Sequence, residues 1–390
     1  MEVLYGTITP VVKDANGDIT DSDNYRAVTL GSIFAQIFEN ALLKKFGSFL
    51  RSDHLQFGFK RSHSTSHAVF TLKSTIDYYL SHGSNVMATF LDCSKAFDTV
   101  SHYGIYLKLM DRNVPLVFLN IIIYWYSNMK CNCRWGDAQS DTFDVITGTK
   151  QGGVLSPNIF AIYMDDLVSR LRKKRVGCHL VYVFVACLLY ADDLCLLSPT
   201  RGAMQLMLTI CKDYCDEFCL SFNVKKSKVL LFGKWVKSLE SLTLDDQPLE
   251  FVQEWKYLGC TIVAGKKFSF SMRPHLRSFY CAVNSLFGAV RQPNDLVLMK
   301  LLYSNCVPSL TYASEVRTLT GGEMNTYNVA LNDSIRRIFS YNRWEGTLYL
   351  RQALGYPNIT EIFHSRSANF LRKCQTSPNP IIKTVASLCP

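Results

Sequence analysis

The chain has 390 residues, 48% of them apolar, and its 42 Lys and Arg exceed its 32 Asp and Glu for a formal net charge of +10. That apolar share excludes a disordered chain, and the length suffices for two or more subdomains with a substantial core. The basic excess favours a polyanionic partner over an acidic one.

Cys93, Cys187, Cys195 and Cys260 sit inside apolar patterns, where a free thiol packs as a small hydrophobe, so no disulfide partner is expected. No signal peptide opens the chain, which points to an intracellular, reducing setting, nuclear or cytoplasmic.

In chain order, Ile8 to Lys13, Asn16-Gly17 and Ile19 read as a hairpin with an Asn-Gly turn. Ser32 caps a helix with Ile33, Ile37, Ala41 and Leu42 on one stripe. Ala68 to Leu80 reads as a helix that leads into Val86-Met87-Ala88-Thr89-Phe90-Leu91, a buried-strand pattern ending in Asp92. Ser101 caps a helix through Leu107 and Met110, and Pro115 to Tyr126 is apolar enough for the core. Gly148-Thr149-Lys150-Gln151-Gly152-Gly153 is a flexible loop, and Ser156-Pro157 has the chemistry of a helix start. Phe160, Tyr163 or Met164, Leu167 and Leu171 keep helical spacing after it. A glycine-rich loop feeding a helix N-terminus lets backbone approach a nucleotide closely. Leu180 to Ala191 is apolar but about a dozen residues long, too short to span a bilayer, so no membrane partner is expected.

Leu188 to Leu197 holds two apolar runs around Asp192-Asp193, a tight hairpin with carboxylates at its tip. Like charges that close cannot both stay ionised unpaired in a buried setting. A divalent cation removes that cost, and oxygen ligands at this density suit Mg²⁺. A surface hairpin with a solvated Asp-Asp turn is the other reading. Beyond it Met204 to Cys219 is helical, and Lys225, Lys226, Lys228, Lys234 and Lys237 form a basic cluster, as do residues 170–175. From Pro274 a helix carries Leu276, Tyr280, Val283, Phe287 and Val290 on one face, with Arg273, Arg277, Arg291 and Lys300 on or near it.

Phe90-Leu91-Asp92 with Ala96-Phe97-Asp98, Gln151-Gly152 with Leu155-Ser156-Pro157, and Tyr190-Ala191-Asp192-Asp193 stand in the order seen in reverse transcriptases. Their wording resembles the non-LTR (LINE-like) retrotransposon branch. Three further blocks join them over residues 7–350: Asn24 to Leu30, Gln56-Phe57-Gly58-Phe59-Lys60-Arg61, and Phe222-Asn223-Val224-Lys225-Lys226-Ser227-Lys228. The chain departs from the family's wording at Ala27, where Pro is usual, at Lys60, where Arg is usual, and at Arg317, where Trp follows the Tyr312 to Val316 phrase.

The resemblance implies an α+β right-hand polymerase fold: fingers with part of the palm over 1–85, an antiparallel palm over 86–265, a helical thumb over 266–350 and an unassigned extension over 351–390. It implies an RNA-directed DNA polymerase acting on dNTPs, an RNA template and a DNA primer, with the element's own RNA as the expected template. Two Mg²⁺ ions, or Mn²⁺, are the implied cofactors, held by Asp92, Asp192 and Asp193. The resemblance implies that Lys13 and Arg26 hold the triphosphate, Phe97 packs under the incoming sugar, and Gln151 and Gly152 contact nucleotide and template. Lys226, with Lys225 and Lys228 as rivals, serves the departing pyrophosphate. Lys60, the Tyr257-Leu258-Gly259 hairpin, Arg273 and Arg277 are the implied nucleic-acid contacts. Asp98 is expected to be structural. A decayed or repurposed copy that binds RNA without catalysis is the alternative. The family's endonuclease and Cys/His knuckle do not appear, since Cys374 and Cys389 lack the knuckle spacing, so the chain is expected to be a polymerase-domain fragment.

Overall fold

The computed structural model describes residues 2–234, 241–289 and 294–388, so Lys237, Val290, Arg291 and Cys389 lie outside the described residues. The chain forms two compact units that interleave along the sequence, one of residues 2–64, 87–229 and 241–250, the other of 65–86, 230–234, 251–289 and 294–388.

In the first unit, strand β1 (Tyr5–Val12) pairs antiparallel with β2 (Tyr25–Gly31), from Gly6 opposite Gly31 to Val12 opposite Tyr25. The sequence expectation paired this strand through the Asn-Gly turn with Ile19. Instead the turn sits inside a longer connection, and the β-branched run ending at Gly31 supplies the partner. Ser32 caps helix α1 (Ile33–Phe46) by accepting from the Ala35 amide at 3.1 Å. Its buried face is Ala35, Glu39, Leu42 and Phe46, while Ile33 and Ile37 are exposed, so the expected stripe is rotated. Glu39 explains the rotation: its buried carboxylate accepts from the Leu155 amide at 2.9 Å, at the start of another helix.

The central sheet of this unit sets β5 (Asp193–Ser198) between β3 (Val86–Leu91) and β4 (Cys187–Tyr190), antiparallel to both. Every residue of β3 is buried, Thr89 included, as the largely apolar run predicts of a strand covered on both faces. Helix α2 (Ser156–Lys173) and helix α3 (Arg201–Phe218) pack together, and α3 packs on β5. Phe160, Tyr163, Met164, Leu167 and Leu171 are all buried on α2, and the Tyr163 hydroxyl donates to the Phe218 carbonyl at 2.7 Å.

The second unit has a core of Phe279, Val283, Leu298, Leu310, Tyr327 and Phe363 with their neighbours. Helix α4 (Arg273–Ala289) turns His275, Phe279 and Val283 inward with Leu276 and Phe287 packed beside them, and of the described members of the expected face Tyr280 alone is exposed. Helix Thr65–Ser81, grouped with the fingers by sequence order, packs here on Pro380–Leu388, with Phe70 edge-on to Phe370 at 5.4 Å. Ile359 and Phe363 enter the core from the segment that the sequence left unassigned. Arg317, at the position usually held by Trp, is buried: it donates to the carbonyls of Leu310 at 3.2 Å and Tyr312 at 3.0 Å, and its guanidinium lies 5.4 Å from the Tyr327 ring centre. A planar cation stacked on aromatics fills a flat slot much as an indole does.

Candidate active site

Asp92 follows the last residue of β3, and Asp192 and Asp193 lie at the tip of the β4–β5 hairpin. The outermost β5–β3 pair is Leu194 with Leu91, so one step further along the register Asp193 faces Asp92. Opposed residues of an antiparallel pair share a face, with Cβ atoms about 4.5–5.5 Å apart. Ala191 makes the turn between the strands at φ +59°, in the left-handed region. It is held there by Gln56, whose side chain accepts from the Ala191 amide at 3.0 Å and donates to the Ala191 carbonyl at 3.2 Å. Gly58 lies so close beneath that a Cβ there would fall 2.4 Å from the Ala191 nitrogen. The Gln-Phe-Gly block, read from sequence for its basic neighbours, thus buttresses the hairpin. On the other strand, Asn223 donates its amide to the Asp92 carbonyl at 2.8 Å, and the Ser227 hydroxyl accepts from the Asp92 amide at 3.3 Å. These residues sit in the lysine-rich block, whose Asn and Ser thus hold the end of the Asp92 strand.

Crowding shows in the electrostatics. Burial, then the charges of Asp192 and Asp92, push the Asp193 carboxyl up to about 6, although its edge is solvent-exposed. Asp192 is also raised, first by burial, with Asp92 adding and Arg26 opposing. Arg26, an exposed residue of β2, is therefore near enough for its charge to reach the hairpin tip.

Carboxylate oxygens are the hard donor set that suits Mg²⁺ or Mn²⁺. Among the described residues, however, no group of three or more His, Cys, Asp and Glu side chains is close enough to hold an ion as it stands. The expectation of a closed ligand cluster is not met in that form. Three like charges have no reason to close on one another without a cation between them.

Phe97 is half-buried, stacked on Phe160 at 4.6 Å between ring centres and edge-on to Phe59 at 6.1 Å. The Gln151 side chain donates to Asp98 at 2.8 Å, and the Gln151 carbonyl accepts from the Thr29 amide at 2.7 Å. Gly152 has φ +113°, and a Cβ there would meet the Thr29 carbonyl oxygen at 2.8 Å, so glycine is required. Asp98 is thus the anchor of Gln151. The two line one side of a cavity of about 210 Å³ together with Ile8, Ala27 and Lys150.

Lys13 donates to the Asp23 carbonyl at 2.7 Å, and Lys226 is exposed in the turn ending at Ser227. The Lys60 ammonium donates to the Ser52 carbonyl at 3.0 Å and to that of Asp53, and burial lowers its pKa.

In the second unit, β6 (Glu254–Tyr257) and β7 (Cys260–Val263) form a hairpin with Leu258 and Gly259 at φ +46° and +80°. That is the two-residue turn whose twist suits adjacent strands. The Tyr312 hydroxyl donates to the Leu258 carbonyl at 2.9 Å. Tyr257 is buried, whereas Arg273 and Arg277 are exposed on α4. Arg273 lines a cleft of about 320 Å³ with Trp255, Lys256 and Thr261.

The sequence matches the reverse transcriptase (RNA-dependent DNA polymerase) family over residues 13–262. It is 20% identical over 382 residues to the RNA-directed DNA polymerase from mobile element jockey of Drosophila melanogaster, covering 94% of this chain and 41% of that protein. To the Retrovirus-related Pol polyprotein from type-1 retrotransposable element R2 of Popillia japonica it is 27% identical over 269 residues, covering 67% and 43%. The chain thus spans about two fifths of the length of these curated relatives. Among solved structures it is similar to telomerase from Candida albicans in complex with the TWJ fragment of telomeric RNA: TM-score 0.54, 12% identity, covering 91% of this chain and 64% of that one. That likeness shows the fold, the α+β right-hand polymerase fold that the sequence predicts. No helix among the described residues is long and apolar enough to cross a membrane.

Proposed function

The chain belongs to the reverse transcriptase (RNA-dependent DNA polymerase) family, and from that premise we propose that it extends a DNA primer on an RNA template, using dNTPs, as the polymerase portion of a non-LTR retrotransposon protein. The observation that supports this most is the register that sets Asp193 opposite Asp92, with Asp192 beside it in a turn clamped by Gln56.

Joining a 3′-hydroxyl to an α-phosphate needs in-line positioning and compensation of developing charge. Asp92 and Asp192 would hold the two ions, with Asp193 completing the set more loosely. Ions held there would supply positive charge to the attacking oxygen and the leaving pyrophosphate. The rest falls to the chain's own side chains. Arg26 and Lys13 hold the triphosphate from the β1–β2 side. Phe97 offers a flat apolar floor to the sugar. Gln151, fixed by Asp98, and Gly152 form the surface against which the new base pair rests. Lys226 supplies charge or a proton to the departing pyrophosphate. The Tyr257-Leu258-Gly259 hairpin supports the primer, and Arg273 and Arg277 contact nucleic-acid backbone. Lys60 acts through the loop it holds. Fingers, palm and thumb roles go to residues 1–85, 86–265 and 266–350, and the element's own RNA is the proposed template.

The test is primer extension by the purified chain on an RNA template with dNTPs and Mg²⁺. Metal-dependent extension is expected. Primer–template binding with no extension in Mg²⁺ or Mn²⁺ would overturn the proposal in favour of an RNA-binding remnant.

A further inference from the structure

Asp23 lies in a short helical turn, Ser22–Asn24, within the connection from β1 to β2. Lysines from three separate segments act on it, two by contact and one through its charge. The Lys95 ammonium is 2.7 Å from its carboxylate, and the Lys13 ammonium donates to its backbone carbonyl at 2.7 Å. Lys226 is near enough for its charge to help lower the Asp23 carboxyl, after the hydrogen bond and charge of Lys95 and the charge of Lys13. Lys95 stands three residues after Asp92, at φ +46°, a left-handed conformation that a lysine adopts at some cost. Asp21 and Asp98 also act on Lys95, more weakly than Asp23.

As a stabilising device this is poor. The Lys95 and Asp23 side chains are 55% and 63% exposed, and an ion pair that open contributes little to folding. The charges of three lysines reach the Asp23 carboxylate, more than a structural pair needs, with Asp21 and Asp98 acting more weakly on Lys95 alone. The lysines come from the segments that carry Asp92, the candidate triphosphate lysine and the candidate pyrophosphate lysine. An occupant that is weakly held is easily exchanged for one with more charge.

We propose that Lys13, Lys95 and Lys226 form one anion site for the triphosphate of the incoming nucleotide, and that Asp23 is its internal occupant until nucleotide displaces it. The inference rests on the polymerase reading for the identity of the ligand and adds Lys95 and Asp23 to the site. Asp23 then sets apparent nucleotide affinity by competition, and Lys95 contributes a phosphate contact.

Two measurements on the full chain test it, with melting temperatures confirming that Asp23→Asn and Lys95→Ala fold. In primer extension, Asp23→Asn should lower the dNTP KM about two- to fivefold, the span expected from releasing one exposed ion pair. Lys95→Ala should raise KM, and in the double variant Asp23→Asn should no longer lower it to the same extent. By calorimetry, inorganic tripolyphosphate should bind Asp23→Asn more tightly than the wild type and Lys95→Ala more weakly. If the wild type extends primers and Asp23→Asn leaves KM unchanged, the stand-in role is overturned. If the wild type extends nothing, the polymerase reading fails, and calorimetry alone decides: equal tripolyphosphate affinity in wild type and Asp23→Asn overturns the anion site as well.

Discussion

Gln56 grips both polar backbone groups of Ala191, the residue that turns the hairpin into Asp192 and Asp193. Its side-chain oxygen also accepts from the Gly58 amide at 2.9 Å, so one buried amide satisfies two donors and one acceptor. Replacing it with an apolar residue of similar size strands those groups at about 1–3 kcal/mol apiece. Gln56→Leu is expected to lower stability by a few kcal/mol in denaturant melts and to depress primer extension more than that loss explains. A folded Gln56→Leu protein with full activity would show that the clamp does not position the turn.

Much of this arrangement was legible beforehand. The three Asp positions, the strand before Asp92 and the hairpin after Tyr190 follow from apolar runs that stop at carboxylates, a short-range pattern. Ser32 and Ser101 signalled helix starts because a cap is a local hydrogen bond. The clamping roles of Gln56, Asn223 and Ser227 are not legible in their motif blocks because they are long-range: each meets backbone far along the chain, Asn223 through its own amide, and nothing nearby in sequence marks such a partner. The rotated face of α1 and the buried His275 of α4 have a similar origin. Glu39 and His275 are polar residues turned inward by distant partners, which periodicity treats as outward.

His275 gives a pH dependence. It is 7% exposed and donates through Nδ1 to the Ser309 carbonyl at 3.1 Å. Burial first, then the charge of Arg317, hold its pKa down to about 4. The unfolded chain takes up a proton below about 6.5 while the folded one does not until about 4, so stability is lost as pH falls through that window. The expected loss is up to about 3 kcal/mol, and His275→Gln should flatten it. Denaturant melts at pH 7.5 and 4.5 that show the same pH dependence for both proteins would contradict the assignment.

Phe97 separates two accounts of nucleotide choice. Stacked on Phe160, its half-exposed ring can exclude a 2′-hydroxyl without adding affinity for dNTP. Phe97→Val is expected to raise ribonucleotide incorporation about ten- to a hundredfold relative to dNTP. A folded variant with unchanged rNTP/dNTP selectivity would make Phe97 a packing residue only.

Arg273 and Arg277 are exposed on one helix, and Lys300 is exposed further along. If they contact phosphates, neutralising all three should flatten the dependence of primer–template affinity on salt by about two to three in the log–log slope, with template preference unchanged. An unaltered slope would assign them to solvent.

The central claim is that Asp92 and Asp192 act together on the reacting phosphate. Single-turnover primer extension in saturating Mg²⁺ tests it most directly, comparing wild type with Asp92→Asn and Asp192→Asn at matched primer–template occupancy. The account predicts that each variant binds primer–template normally and extends it about a thousandfold or more slowly. Extension by folded Asp92→Asn within tenfold of the wild-type rate would contradict it.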